Sequence, residues 1–308
     1  AFVNLCLHSQ FAKLMIKKSF SSTGIFFLNF LSLLPTSLLY FFAALLYYPL
    51  YYILGYRKKV VRQNLVNSFP QKSIEEIIKI EKAYYRHFTR LVLETIKMAS
   101  ISESELKKRV KFNNLQIVEQ HVKNGQSILA CTGHYCNWEW GMLALSLTLC
   151  PQSYVIFKPI NNELFDSWFY KMRTRFGNRF IAMKQTLRVL ASTRNELTMF
   201  CFANDQTPVG HEIQYWLPFL NQRTPVLLGL EKIALQTNRP VIYFKMKHIK
   251  NGYYEVDCET ICNDPSKTTE HQITDMSFNI LENMINENPA YWLWSHRRWK
   301  HNKHENAG

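Results

Sequence analysis

The segment GHYCNWEWG places His134 five residues before Glu139. An imidazole and a carboxylate are the side chains that general-base chemistry on a hydroxyl requires. The carboxylate bonds one ring nitrogen and fixes the tautomer, while the other nitrogen takes the proton. At this spacing the two do not share a face of one helix. They converge if His134 lies on a loop and Glu139 in the first turn of the helix beyond it. Asn137 is an N-cap type of residue, so the pattern predicts a helix that opens with Trp138, Glu139 and Trp140. A carboxylate there is favoured by the helix dipole, and free backbone N–H groups at the helix start suit an oxyanion. The two tryptophans are expected as wall or core. The spacing alone is weak evidence: ten His and 23 acids in 308 residues give about 0.7 such pairs by chance.

The elements that must position this pair are legible around it. SILACT, at 127–132, reads as a short buried strand running into Gly133-His134. Further β-rich runs lie at 153–158, 197–203, 240–246 and 253–258, with helical stretches at 138–149, 163–176, 184–193 and 225–237. Strands alternating with helices predict an α/β domain, its mostly parallel central sheet flanked by helices. Upstream, Ser73 and Glu76 form a capping box before a long amphipathic helix over 73–99, and a short charged helix follows at about 102–110. A last amphipathic helix covers about 270–287, ahead of a basic tail.

From Ser19 to Tyr56 no residue carries charge. Residues 25–48 are long enough for a membrane-spanning helix if Pro35 is tolerated as a kink. Otherwise they make two shorter helices, suited to a hairpin or an interfacial anchor. The run lacks the small-residue cleavage site of a signal peptide. Arg57, Lys58, Lys59 and Arg62 follow it, which places the downstream domain on the cytoplasmic side. Lys13, Lys17 and Lys18 precede it, which keeps a hairpin open. The chain opens on Ala, and a natural start elsewhere is expected. The division that follows is an N-terminal extension and membrane anchor at 1–56 and a catalytic domain at 57–308.

The formal charge of +14 and the pI near 9.4 call for an anionic partner. The basic residues are dispersed, and no zinc-finger or RNP-like spacing occurs, so nucleic acid is disfavoured. The membrane surface and an acidic protein remain. Seven cysteines, an odd number, read as free thiols in a reducing compartment. Neither Cys131/Cys136 nor Cys258/Cys262 has metal-ligand spacing, so no metal is expected.

GHYCNWEWG resembles the His-x4-Asp/Glu motif of the glycerolipid acyltransferases, and more narrowly that of the lipid A biosynthesis late (lauroyl/myristoyl) acyltransferases. FKPINN (157–162), RTRFG (173–177), NDQTP (204–208), WLPFLNQRTPVLLG (216–229) and PAYWLWSHRRWK (289–300) are similar to that family's segments in the same order. The apolar N-terminus followed by RKKVVRQNL also fits, so the likeness covers roughly residues 25–300. Three departures stand out: Lys158 where the family has Arg, Trp299 for Phe, and a different loop after Asp205.

The resemblance implies transfer of an acyl chain to a hydroxyl of a lipid A precursor at the cytoplasmic face of the inner membrane. The donor would be an acyl carrier protein thioester, with acyl-CoA as a further donor and no other cofactor. His134 would be the base and Glu139 its orienter. Lys158, Asn162, Arg175 and Asp205 are implied near the active centre. Arg297, Arg298 and Lys300 are implied to face phosphates, and His296 to be structural. A lysophospholipid, aminolipid or glycolipid acceptor would serve the same base, and a non-catalytic protein that binds anionic lipid is the remaining alternative.

Overall fold

The computed structural model describes residues 22–148 and 152–302. Lys13, Lys17, Lys18 and the basic tail beyond Asn302 lie outside the described residues. The apolar run forms two helices. α1 is described over Ser22–Ser32, and α2 (Thr36–Tyr48) continues through a π-helical turn, Pro49–Ile53. Pro35 separates them rather than kinking one long helix, because it has no N–H to give and its ring crowds the preceding turn. The carbonyls freed at this break are taken from a third element: Lys97 Nζ bonds the carbonyls of Ser32 and Leu34 at 2.8 and 3.0 Å.

α3 (Lys58–Ser68) leads to α4 (Ile74–Lys97), whose capping box forms as the sequence predicts: Ser73 Oγ accepts from Glu76 N–H at 3.3 Å, and the Glu76 carboxylate accepts from Ser73 N–H at 2.8 Å. α5 (Glu103–Arg109) is the expected charged helix, capped by Ser102. The domain then alternates strand and helix: β1 (Val110–Asn113), α6 (Gln116–Lys123), β2 (Ile128–Thr132), α7 (Trp138–Thr148), β3 (Gln152–Phe157), α8 (Glu163–Arg173), β4 (Arg179–Ala182), α9 (Thr186–Ser192) and β5 (Thr198–Ala203). A two-stranded hairpin, β6 (Tyr215–Phe219) and β7 (Gln222–Val226), precedes α10 (Gly229–Thr237), β8 (Val241–Lys250), β9 (Tyr253–Cys262) and α11 (Gln272–Glu287).

The main sheet has seven strands in the order β1-β9-β8-β2-β5-β3-β4. Every pairing in it is parallel except the β8–β9 hairpin, which turns at Asn251-Gly252. β2 is central, and all five of its residues are buried, which is why it reads as an unbroken apolar run rather than an alternating one. β6 is the strand that the resemblance implies within 216–229, whereas β1, β4, α6 and β7 have no clear signature in the sequence. β1 and β4 have four residues each and sit at the sheet edges, too short for a clear period.

Candidate active site

β2 and β5 are parallel neighbours, with Thr132 opposite Ala203. Two residues beyond each of those positions stand His134 and Asp205, so the register delivers both to the carboxyl end of the sheet, where ligands of open α/β folds bind. The chain turns tightly after β2. Gly133 lies close against α11: a Cβ there would come within 2.6 Å of Leu281 Cδ1, so a larger residue would have to shift that side chain. Cys136 takes a left-handed conformation, φ 53°, which reverses the loop before α7. Asn137 caps α7 as the sequence predicts, its Oδ1 accepting from Trp140 N–H at 2.9 Å.

His134 is bonded to Asp205 twice. Its backbone N–H donates to Oδ2 at 2.9 Å, and its Nδ1 lies 2.5 Å from Oδ1. Trp292 Nε1 also donates to Oδ2, at 2.8 Å. Asp205 is 3% exposed. Burial by itself raises a carboxyl pKa, but the adjacent imidazole and these donors hold this one far below its ordinary range. The same balance acts in reverse on His134. Burial lowers its pKa, the Asp205 carboxylate outweighs that, and the net shift is upward. With Nδ1 serving Asp205, Nε2 faces the cavity as a proton acceptor; the Gln206 side-chain amide now sits 3.0 Å from it.

Glu139 does stand in the first turn of α7, but it does not bond His134. Both of its oxygens are engaged by Arg173 at the end of α8, Nε to Oε2 at 2.8 Å and Nη2 to Oε1 at 2.5 Å. This bidentate pair is largely dry, and the guanidinium overrides burial to hold the Glu139 carboxyl below its usual range. Glu139 acts on His134 only through space, as a second negative charge that raises the imidazole pKa. The expected orienting hydrogen bond from Glu139 is therefore corrected: the residue on Nδ1 is Asp205, 71 positions away in the chain.

The remaining expected site residues divide. Lys158, just after β3, lines the same cavity as His134. Asn162 caps α8, accepting from Leu164 N–H at 3.1 Å and Phe165 N–H at 3.2 Å. Arg175 turns away from the centre and donates to the Met98 carbonyl at 2.5 Å, so the arginine of RTRFG that reaches the site is Arg173. Both arginines were visible in that segment, but only the helical phase at the end of α8 chooses between them.

Arg297 and Lys300 are exposed. Arg298 is 0% exposed, and none of its side-chain nitrogens has a hydrogen-bond partner among the described residues. Burial lowers its pKa to about 10, against the attraction of Asp205. It is enclosed, so it does not face an external phosphate as expected. The WLWSHRR segment is instead a clamp on the loop that carries His134. Tyr135 and Trp292 form a β-bridge, Leu293 N–H donates to the His134 carbonyl at 3.2 Å, and Cys136 N–H donates to the Tyr291 carbonyl at 3.0 Å. His296 Nε2 accepts from Thr207 N–H at 3.1 Å, which ties the same segment to the loop after Asp205.

A second buried carboxylate supports the loop from below. Glu94 of α4 is 1% exposed. Its Oε2 accepts from Asn137 Nδ2 and from Tyr254 Oη, each at 2.7 Å. Its Oε1 accepts from Tyr40 Oη of α2 at 2.8 Å. Sequence reading passed it over because a glutamate in an amphipathic helix looks like a solvated face.

His134, Glu139 and Arg173 open onto a cavity of about 710 Å³. Beyond them its wall is mainly apolar, with Val155, Phe157, Phe180, Met183, Cys201, Phe202, Leu230 and Ile233 among the lining residues. An imidazole on the wall of a mainly apolar cavity suits a reaction on the polar end of a hydrocarbon chain.

A family profile described as bacterial lipid A biosynthesis acyltransferase matches residues 8–301. The chain is 24% identical over 251 residues to a lipid A biosynthesis palmitoleoyltransferase of Escherichia coli, covering 79% of each protein. It is 22% identical over 238 residues to a lipid A biosynthesis acyltransferase of Haemophilus influenzae, covering 75% of this chain and 72% of that one.

Proposed function

This chain belongs to the bacterial lipid A biosynthesis acyltransferase family and is an acyltransferase enzyme, and we propose that it moves a fatty acyl chain from acyl carrier protein to a hydroxyl of a lipid A precursor at the cytoplasmic face of the inner membrane. His134 Nε2 takes the acceptor proton as the hydroxyl attacks the thioester carbonyl; the tetrahedral intermediate then collapses with cleavage of the C–S bond, and the carrier's thiolate leaves and takes the proton back from the His134 imidazolium. Asp205 holds the Nδ1–H tautomer and balances the imidazolium that forms. The acyl chain occupies the apolar cavity. Glu139 keeps Arg173 at the reaction centre, and Lys158 meets anionic groups at the mouth. The hydroxyl enters by displacing the Gln206 amide from Nε2. The observation that carries this reading is that His134, doubly bonded to the buried Asp205, lines that cavity.

The test is acyl transfer by the full chain in detergent, with a lipid A precursor and either acyl carrier protein thioester or acyl-CoA as donor. Mass spectrometry would read the product. His134→Ala is expected to lose on the order of 10²–10⁴ in rate. Near-normal turnover by that variant would remove the base assignment. An unchanged lipid A profile in a strain lacking the gene would remove the acceptor, and point to a lysophospholipid, aminolipid or glycolipid in its place.

A further inference from the structure

By length and composition, Thr36–Ile53 is apolar enough to cross a bilayer. We propose that α1, α2 and the π turn instead lie in the plane of one leaflet of an anionic phospholipid membrane, without crossing it.

The first observation is how α2 is held. It runs antiparallel to α4 and is tied to it along its length. At one end, Lys97 bonds the carbonyls of Ser32 and Leu34. In the middle, Tyr40 donates to Glu94, and Arg86 stands 5.2 Å from the centre of the Tyr47 ring. At the other end, Tyr51 Oη donates to Glu81 Oε1 at 2.8 Å. α4 is in turn fixed to the catalytic domain. Tyr84 Oη accepts from Ser295 N–H at 3.1 Å, and Arg90 Nη1 donates to Asn251 Oδ1 in the β8–β9 turn at 2.8 Å. If α2 crossed the hydrocarbon, α4 would be carried in with it, bringing Lys82, Arg86 and Arg90 and the sheet edge behind them. Charged side chains and unpaired backbone are what a bilayer core excludes. α1 is pinned in the same way, since Trp168 Nε1 of α8 donates to Asn29 Oδ1 at 2.9 Å.

The second observation is the opposite face. Phe30, Phe41, Leu45, Tyr52 and Ile53 are 60%, 57%, 51%, 58% and 81% exposed, a continuous apolar strip that the described chain leaves uncovered. The described α1, α2 and π turn carry no charge of their own, and Glu81 and Glu94 reach α2 on the side packed against α4. No Asp or Glu precedes Glu75 in the sequence. Lys58 Nζ sits 3.8 Å from the centre of the Tyr51 ring, and Lys171 and Arg175 line a groove beside α1. Exposed apolar side chains with tyrosines among them and basic side chains close by are the composition of an interfacial helix, and the nearby positive charge selects anionic headgroups.

The test places an environment-sensitive fluorescent amino acid at Phe30, Phe41, Leu45 or Ile53 in the full chain, so that the seven native cysteines stay unlabelled. The protein is bound to vesicles of phosphatidylethanolamine and phosphatidylglycerol that carry bromine either near the carbonyl or near the end of the acyl chains. In-plane seating gives all four sites the same preference for the shallow quencher, within about twofold. A deep maximum at Leu45 with shallow values at Phe30 and Ile53 would overturn it. Replacing phosphatidylglycerol by phosphatidylcholine is expected to weaken binding at least about tenfold. Unchanged binding would overturn the anionic selectivity. Both readouts are independent of turnover, so they stand or fall apart from the acyl-transfer reading.

Discussion

Asp205→Asn isolates the charge and tautomer of the proposed catalytic pair, His134 and Asp205, while keeping its shape. In the wild type, one carboxylate oxygen serves His134 Nδ1 and the other serves two donors, His134 N–H and Trp292 Nε1. An amide has only one acceptor oxygen. It satisfies more donors when that oxygen faces the two N–H groups, and its NH₂ then points at Nδ1. The imidazole responds by moving its proton to Nε2, the atom that must accept the substrate proton. The base is thereby lost with almost no change in packing. A wrong tautomer held this way is expected to cost on the order of 10³–10⁴ in kcat, or about 4–5.5 kcal/mol of transition-state stabilisation.

The pH profile gives an independent reading. Activity needs the neutral imidazole, so it rises as pH passes the His134 pKa. Asp205 holds that pKa above its ordinary 6.5, and the rising limb should therefore lie above that pH. Without the carboxylate, burial dominates and the residual limb should move to lower pH. Stability has the matching sign. The lowered Asp205 pKa contributes above its unfolded value of 3.8 and is lost as pH falls through the folded value. The raised His134 pKa contributes below 6.5 and is lost as pH rises through the folded value. The stability gap between wild type and Asp205→Asn should thus be widest between those two pH values. An Asp205→Asn enzyme within threefold of wild-type kcat, with an unmoved limb, would refute this reasoning.

Arg173→Met strands the Glu139 carboxylate in a dry site, and thermal or denaturant unfolding should show a loss of about 3–5 kcal/mol. Turnover should fall as well, and recovery of stability in the Arg173→Met/Glu139→Gln double variant would mark the pair as coupled. Glu94→Ala removes the acceptor of Asn137, Tyr254 and Tyr40 together and should cost roughly 3–5 kcal/mol. Hydrogen exchange in the His134–Trp140 loop should rise with it, whereas unchanged exchange would mean that Glu94 does not hold the loop. Gly252→Ala is expected to destabilise by more than about 1 kcal/mol, because Gly252 has φ 71° and a Cβ there would lie 1.9 Å from Tyr40 Oη. A melting temperature equal to that of the wild type would refute it.

The sequence by itself determined the local features. Asn137 and Ser73 announce helix starts through hydrogen bonds that span three residues. SILACT announces a buried strand through its unbroken apolar run, and Pro35 divides the N-terminal helices by the chemistry of its own ring. Each of these depends on interactions within one turn or one strand, and a sequence carries them in its spacing. Tertiary structure alone decided which carboxylate meets His134. Asp205 reaches it because β2 and β5 are adjacent and in register, a pairing between strands 71 residues apart that no local pattern encodes. The same holds for Arg173 over Arg175, for the enclosure of Arg298, and for Glu94 beneath Asn137. In each case the side chain's role follows from what a distant element places opposite it. Long-range pairing thus turned the His134–Glu139 motif, legible as a spacing, into a site where Asp205 holds the histidine and Glu139 holds an arginine.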